Sequence, residues 1–177
     1  MLRPALWALL GVLAVSTSAS GADTPSTAFD SKSGITKVQS RRMPLRVVSD
    51  PSGAFSARGG RVDLAFAGWW LGRKCCDPNA KMTYSLTVIA VSDSASLGRR
   101  PDVRLTIDGK PRRLLDLRFT KDVDGGKDIE VIAAGIRTAD AEAIAKSKNT
   151  RITIGELVLE VEPRELSKLR GFLKAFG

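Results

Sequence analysis

Two neighbouring cysteines, Cys75 and Cys76, are the most reactive pair in the chain, and two cations, Arg73 and Lys74, precede them. Nearby positive charge stabilises a thiolate, the form that attacks disulfides and binds soft metals. A disulfide between adjacent residues is strained: consecutive Cα atoms lie about 3.8 Å apart across a trans peptide, and ordinary disulfides need about 4.4–6.8 Å. Such a bond is labile, which makes the pair a redox or thiol-exchange candidate. The competing readings are an intermolecular contact, or one buried and one exposed thiol without a role. A soft-metal site needs further ligands, and the sequence presents none, so no metal and no cofactor is assigned.

Upstream stand Trp69 and Trp70. Successive strand residues point to opposite faces, so one ring can fill a core while the other stacks on a sugar or an apolar partner. Core filling plus cover of a sheet edge is the plainer account of both. The cations come in pairs, Arg41-Arg42, Arg99-Arg100 and Arg112-Arg113, with Arg46, Arg104 and Arg118 besides. Brought together, they would favour an anionic surface such as lipopolysaccharide head groups or phospholipid. Spread out, they are solvated strand faces. The binding candidates are therefore Trp69, Trp70, Arg99, Arg100, Arg112 and Arg113. The pattern lacks the aromatics interleaved with cations that single-strand binders use, and no nucleic-acid partner is expected.

Two carboxylate arrangements are weaker. Asp122-x-Asp124-Gly125-x-x-Asp128 with Glu130 resembles a calcium loop in composition, but Lys121 and Lys127 intrude and the distal Glu of such loops is missing. A turn between two strands explains it. A carboxylate hydrolase would need two acids, such as Asp63 and Asp116, to converge. The chain of 177 residues has no histidine, which removes the Ser-His-Asp and Cys-His mechanisms and the commonest ligand for zinc, copper and haem. The balance of side chains leans away from an enzyme.

The compartment is read from residues 1–22. Arg3 is followed by an uncharged apolar run over residues 5–15 and then by Ser20-Gly21-Ala22, small residues at a cleavage site. We expect a signal peptide cut before Asp23, with a cut after Ala19 as the alternative, and a periplasmic or secreted product. The apolar run is about half the ~20 residues a spanning helix needs, and no transmembrane segment is expected in the mature chain. No cysteine stands at the cut for a lipid anchor. Losing Arg3 lowers the formal charge from +9 to +8.

These residues need elements to position them. Residues 23–34 are polar and read as a flexible leader, and 35–177 as a single domain. Alternating runs predict strands over 35–40, 45–49, 61–66 and 83–91, the last apolar on both faces and hence central. Residues 103–107 and 115–119 flank Asp108-Gly109, a pair suited to a type I′ hairpin, with Pro111 implying a sheet edge or an irregularity. A charged turn over 121–127 precedes a strand over 129–136. Thr138 suits the cap of a short helix to residue 145. Residues 151–154 and 157–161 form a hairpin across Gly155-Glu156, and Pro163 opens a final helix with Leu166, Leu169, Leu173 and Phe176 on one side. The fold class is mostly β: an antiparallel, β-sandwich-like single domain with a short helix and a C-terminal helix.

The stretch Arg151-Ile-Thr-Ile-Gly-Glu-Leu-Val-Leu-Glu-Val, followed by Glu165-Leu-Ser-Lys-Leu-Arg-Gly-Phe-Leu, resembles the end of uncharacterised bacterial exported β-rich proteins, over roughly the last 40 residues. The resemblance implies a hairpin leading into a terminal helix and carries no catalytic residue. We therefore expect a non-enzymatic binding or structural protein of the bacterial envelope, meeting an envelope component or a protein partner. The alternative is a thiol-redox protein acting through Cys75 and Cys76.

Overall fold

The structure, a computed structural model, describes residues 25–72, 82–94, 96–98 and 101–176. The first strands are β1 (Ser26–Asp30), β2 (Ile35–Gln39), β3 (Met43–Ser49), β4 (Arg61–Leu71) and β5 (Thr83–Ser92). Then come β6 (Val103–Ile107), β7 (Lys110–Arg112), β8 (Leu115–Asp124), β9 (Lys127–Ile136) and helix α1 (Thr138–Lys146). The chain closes with β10 (Thr150–Ile154), β11 (Leu157–Val161) and helix α2 (Pro163–Phe176).

β4 and β5 are the frame. Val62, Leu64, Phe66 and Trp70 of β4 and Tyr84, Leu86, Val88 and Ala90 of β5 share the period of two that turns them into one core. The opposite faces of both strands are buried as well, by Asp63, Ala65 and Ala67 on β4 and Ser85, Thr87 and Ile89 on β5. Burial on both faces explains their near-continuous apolar sequence and confirms β5 as central.

All strands belong to one antiparallel sheet, ordered β7-β6-β10-β11-β3-β4-β5-β9-β8, with the β1–β2 hairpin joined to β4. β3 connects the two halves: Met43 and Pro44 pair with Leu64 and Asp63 of β4, whereas Leu45 to Ser49 run along β11. The expected sandwich is thus a single curled sheet whose halves share this strand. Val47 pairs with Leu159 and Ser49 with Val158, so Val48 is an extra residue, bulged outward and 45% exposed. Apolar side chains from both halves meet those of α1 (Ala141, Ile144) and α2 (Leu166, Leu169, Phe172) in one cluster. At about 1.5–3 kcal/mol for each fully buried large aliphatic side chain, this cluster is the main source of stability.

Several boundaries differ from the sequence expectation. Residues 26–30, read as part of a flexible leader, form β1, an edge strand registered on β2 from Ser26–Gln39 to Asp30–Ile35. Its polarity reflects exposure at an edge rather than lack of structure. Asp108 and Gly109 both have positive φ, 47° and 78°, as a type I′ turn requires. The partner across that turn is the three-residue β7, with Pro111 at the sheet edge, and residues 115–124 instead pair with β9 in the other half. The expected face of Leu115, Leu117 and Phe119 is broken because Asp116, at φ 48°, adds a residue to β8 and leaves Leu117 exposed. The charged turn shrinks to Gly125-Gly126, both at positive φ, with strand on either side.

Between β3 and β4, the Asp50 carboxylate organises the loop by accepting from Phe55 N (2.8 Å), Ser56 N (2.9 Å) and Ser52 Oγ (2.6 Å). Burial opposes its charge, but these donors outweigh burial and hold its pKa far below the usual carboxyl range. Gly60 closes the loop on the Ala54 carbonyl, where an added Cβ would lie 2.4 Å from that oxygen, so only glycine fits.

The N-cap position of α1 is Arg137, with extended backbone and no side-chain cap, so Thr138 is the first helical residue and does not cap it; the Thr138 hydroxyl faces the Met82 carbonyl at 3.5 Å. Pro163 does open α2. Among the described residues no helix is long and apolar enough to cross a membrane.

Candidate functional site

The described residues do not gather the sequence candidates into one place. Trp70 lies in the core at 3% exposure, while Trp69 points the other way, half-buried in a row with Lys37 of β2 and Thr83 of β5. Burial lowers the Lys37 pKa below its usual value of 10.5. Arg112 shares the inward phase of β6–β7 opposite Leu105 and approaches the buried Asp140 of α1, Nη1 to Oδ1 3.6 Å, with its Nε unpartnered. Asp140 also accepts from Arg137 Nε at 2.9 Å. Arg112 thus fastens α1 to the sheet edge, while Arg113 is exposed in the link to β8. Cys75, Cys76, Arg99 and Arg100 lie outside the described residues, as do residues 1–22.

The acids separate too. Asp63 on β4 and Asp116 on β8 are divided by β5 and β9, roughly 14 Å at the ordinary strand spacing, too far for a shared cleft. Burial raises the Asp63 carboxyl above its usual 3.8, opposed by Arg61 and Arg42, and Arg61 Nε lies 2.9 Å from it. Around the proposed calcium loop, Lys121 pairs with Asp128 at 2.9 Å, and no group of metal-ligating side chains occurs among the described residues. Glu130, 1% exposed on the inward phase of β9, accepts from Ser96 N (2.8 Å), Ser96 Oγ (3.1 Å) and Leu97 N (3.1 Å). Its role is to hold the 92–98 loop.

The arrangement with chemical potential lies elsewhere, where the C-terminal end of α1 meets α2. A cleft of about 650 Å³ is lined by Lys146, Ser147, Lys148, Pro163, Leu166 and Arg170. Three of the six are cations, none is acidic, and Pro163 and Leu166 give an apolar floor. Its walls are fixed by hydrogen bonds. Arg170 Nε donates to the Ala145 carbonyl, which satisfies an orphan acceptor at the end of α1 and binds the two helices. Ser147 Oγ donates to the Ile144 carbonyl at 2.7 Å and lies 2.8 Å from Thr150 Oγ1. The amides of Lys148 and Asn149 both donate to Asp108 Oδ1 at 2.9 Å, and Asn149 Nδ2 donates to Glu160 at 2.9 Å. Lys146 has Glu142 as a solvent-exposed partner at 3.6 Å, and no carboxylate of the described residues pairs with the Lys148 ammonium.

This places two ammonium groups, one of them paired with Glu142, and a guanidinium held to the Ala145 carbonyl around one cleft, donors of the kind that receive an anion. Its one lining hydroxyl, Ser147, is held by the Ile144 carbonyl and Thr150, and no carboxylate lines it among the described residues. Sequence reasoning missed it because Lys146 and Lys148 stand at and just past the end of α1 while Arg170 stands on α2, and nothing local in the sequence joins them. The Lys146-Ser-Lys148 triplet after an acidic first turn was the one local signal.

A curled antiparallel sheet, two packed helices and a basic cleft between those helices make up one β-rich domain. Comparison of the chain with protein-family models, with curated proteins and with solved structures finds no match.

Proposed function

We propose that the protein is a non-enzymatic, periplasmic or secreted binding protein of the bacterial envelope that engages an anionic component through the α1–α2 cleft. The observation that carries this reading is the cleft lined by Lys146, Lys148 and Arg170 with no acidic side chain. It is supported by the formal charge, +8 once Arg3 is lost with residues 1–22, which draws anionic surfaces by long-range attraction. The export part of the reading rests on the signal-like residues 1–22.

The test uses vesicles of phosphatidylcholine with and without phosphatidylglycerol. The protein should co-sediment with the anionic vesicles alone, and more weakly as salt shortens the screening length. Each basic residue near an anionic surface contributes about 1 kcal/mol, so Lys146→Glu with Lys148→Glu should weaken binding more than about tenfold. Arg104→Glu with Arg151→Glu changes the net charge equally on the outer face of β6 and β10 and should leave most binding intact. Equal loss in both pairs would assign the effect to net charge, and no binding by the wild type would end the proposal.

A further inference from the structure

The α1–α2 cleft is shaped as well as charged. At about 650 Å³ it lies in the range of sites that hold small organic molecules, about 300–1,000 Å³, and Pro163 and Leu166 offer such a molecule an apolar floor. The main chain that bears two of its cations is pinned: Ser147 N donates to the Ile144 carbonyl at 3.1 Å, and the Lys148 and Asn149 amides donate to Asp108 Oδ1 at 2.9 Å. The Ile144 and Ala145 carbonyls are already taken, by Ser147 and by Arg170 Nε, so the negative end of α1 is blunted where an anion would approach. The acids at the start of α2 are engaged too, Glu162 by Arg164 at 2.8 Å and Glu165 by Lys168 at 2.7 Å, and neither lines the cleft. What meets a ligand is the Lys148 ammonium, which no carboxylate of the described residues pairs, the solvent-exposed Lys146 ammonium and the Nη groups of Arg170.

We infer that the cleft is a site for phosphate monoesters, with the phosphoryl oxygens on Lys146, Lys148 and Arg170 and the organic group over Pro163 and Leu166. The inference rests on the anion-binding reading and narrows it to one class of anion. At pH 7 a monoester carries a charge of about −1.5 to −2 on three strong acceptor oxygens, enough to meet all three cationic side chains. A phosphodiester brings a single negative charge and one free oxygen fewer, and a carboxylate brings that charge in one plane, so each leaves a cation of the cleft without a counter-charge. Arg170 keeps its planar Nη pair for two phosphoryl oxygens, because only its Nε is spent on the Ala145 carbonyl. Inorganic phosphate would leave the apolar floor uncovered, which favours an ester. Such esters come from two sources, a lipid head group or a soluble molecule, and the phosphoryl group they share is what the cations read.

The test compares phosphatidylcholine vesicles carrying phosphatidic acid, a monoester, with vesicles carrying phosphatidylglycerol, a diester, matched in electrophoretic mobility so that surface charge is equal. Protein purified from cells expressing the whole chain should co-sediment with the phosphatidic acid vesicles more tightly by at least about tenfold, an effect of about 1.4 kcal/mol. Lys148→Gln should remove most of that preference, whereas Lys174→Gln, the same charge change in the last turn of α2, should keep it. Circular dichroism checks that both variants are folded. Glycerol phosphate added as a competitor separates the sources: release of the protein makes the soluble ester a ligand, and retention makes the lipid ester the ligand, both within the proposed class. Release by dimethyl phosphate at equal ionic strength, equal binding of the two vesicle types, or a full preference in Lys148→Gln would each overturn the inference. Equal binding would leave the anion-binding reading standing, and binding to neither vesicle would remove both.

Discussion

The two halves of the sheet solve the same packing problem differently. In the half built on β4, β5 and β9, both faces of β4 and β5 are buried, and most residues opposite the core there are small: Ala65, Ala67, Ser85 and Thr87. In the half built on β3, β11, β10 and β6, one face joins the core through Leu45, Leu159, Ile152 and Leu105, while the other carries Arg46, Glu160, Arg151 and Arg104. Where β4 and β5 set small side chains opposite the core, these four strands set a row of charges. The difference shows that the outward face of a strand is not equivalent across this sheet, and substitutions can measure it.

The largest contrast should come from one pair of lysines. Ala65→Lys puts an unpaired charge at a 2%-exposed position of β4 and should cost about 3–5 kcal/mol or prevent folding. Thr153→Lys on the partly exposed outer face of β10 should fall within about 0.5 kcal/mol of the wild type. Urea denaturation of both variants gives the comparison.

Two acids sharpen it. Glu130→Ala strips three donors of the 92–98 loop of their acceptor in a buried site and should cost about 2–3 kcal/mol. Glu160→Ala removes the contacts to Arg46 (2.7 Å), Arg151 (3.8 Å) and Asn149 (2.9 Å). These groups stand near solvent, so the loss should be about 0.5–1 kcal/mol and shrink in high salt.

The smallest effect is one of pH. Burial raises the Asp63 carboxyl, so the folded state holds that proton more tightly than the unfolded chain. Its stabilising contribution is present at acid pH and is lost as pH rises through the raised pKa. Asp63→Asn should therefore gain stability over the wild type as pH climbs above 3.8, with no gain below it, measured by melting temperature across that range.

The same contrast explains what the sequence made legible. β4 and β5 were readable because alternation and apolar content agree when both faces are buried, and the hairpin turns at Asp108-Gly109 and Gly155-Glu156 declare themselves by residue type. β1 was misread because a five-residue edge strand has no buried face to demand apolar side chains. The partner of β6 was misread because pairing is decided by the whole sheet: a bulge at Asp116 sends the Leu115 run to β9, and no local pattern announces it. The cleft was illegible for a related reason. Lys146 and Arg170 lie far apart in sequence, and only the packing of α1 against α2, sealed by the Arg170–Ala145 hydrogen bond, makes them neighbours.

The central claim is that ligand recognition sits in that cleft and not on the charged face of the second half. Backbone amide chemical shifts recorded while a short-chain phosphatidylglycerol is titrated below its micelle concentration test this most directly. The account predicts saturable shifts centred on residues 146–148 and 164–170. Shifts centred instead on Arg46, Arg104 and Arg151, or no saturable shift at all, would contradict it.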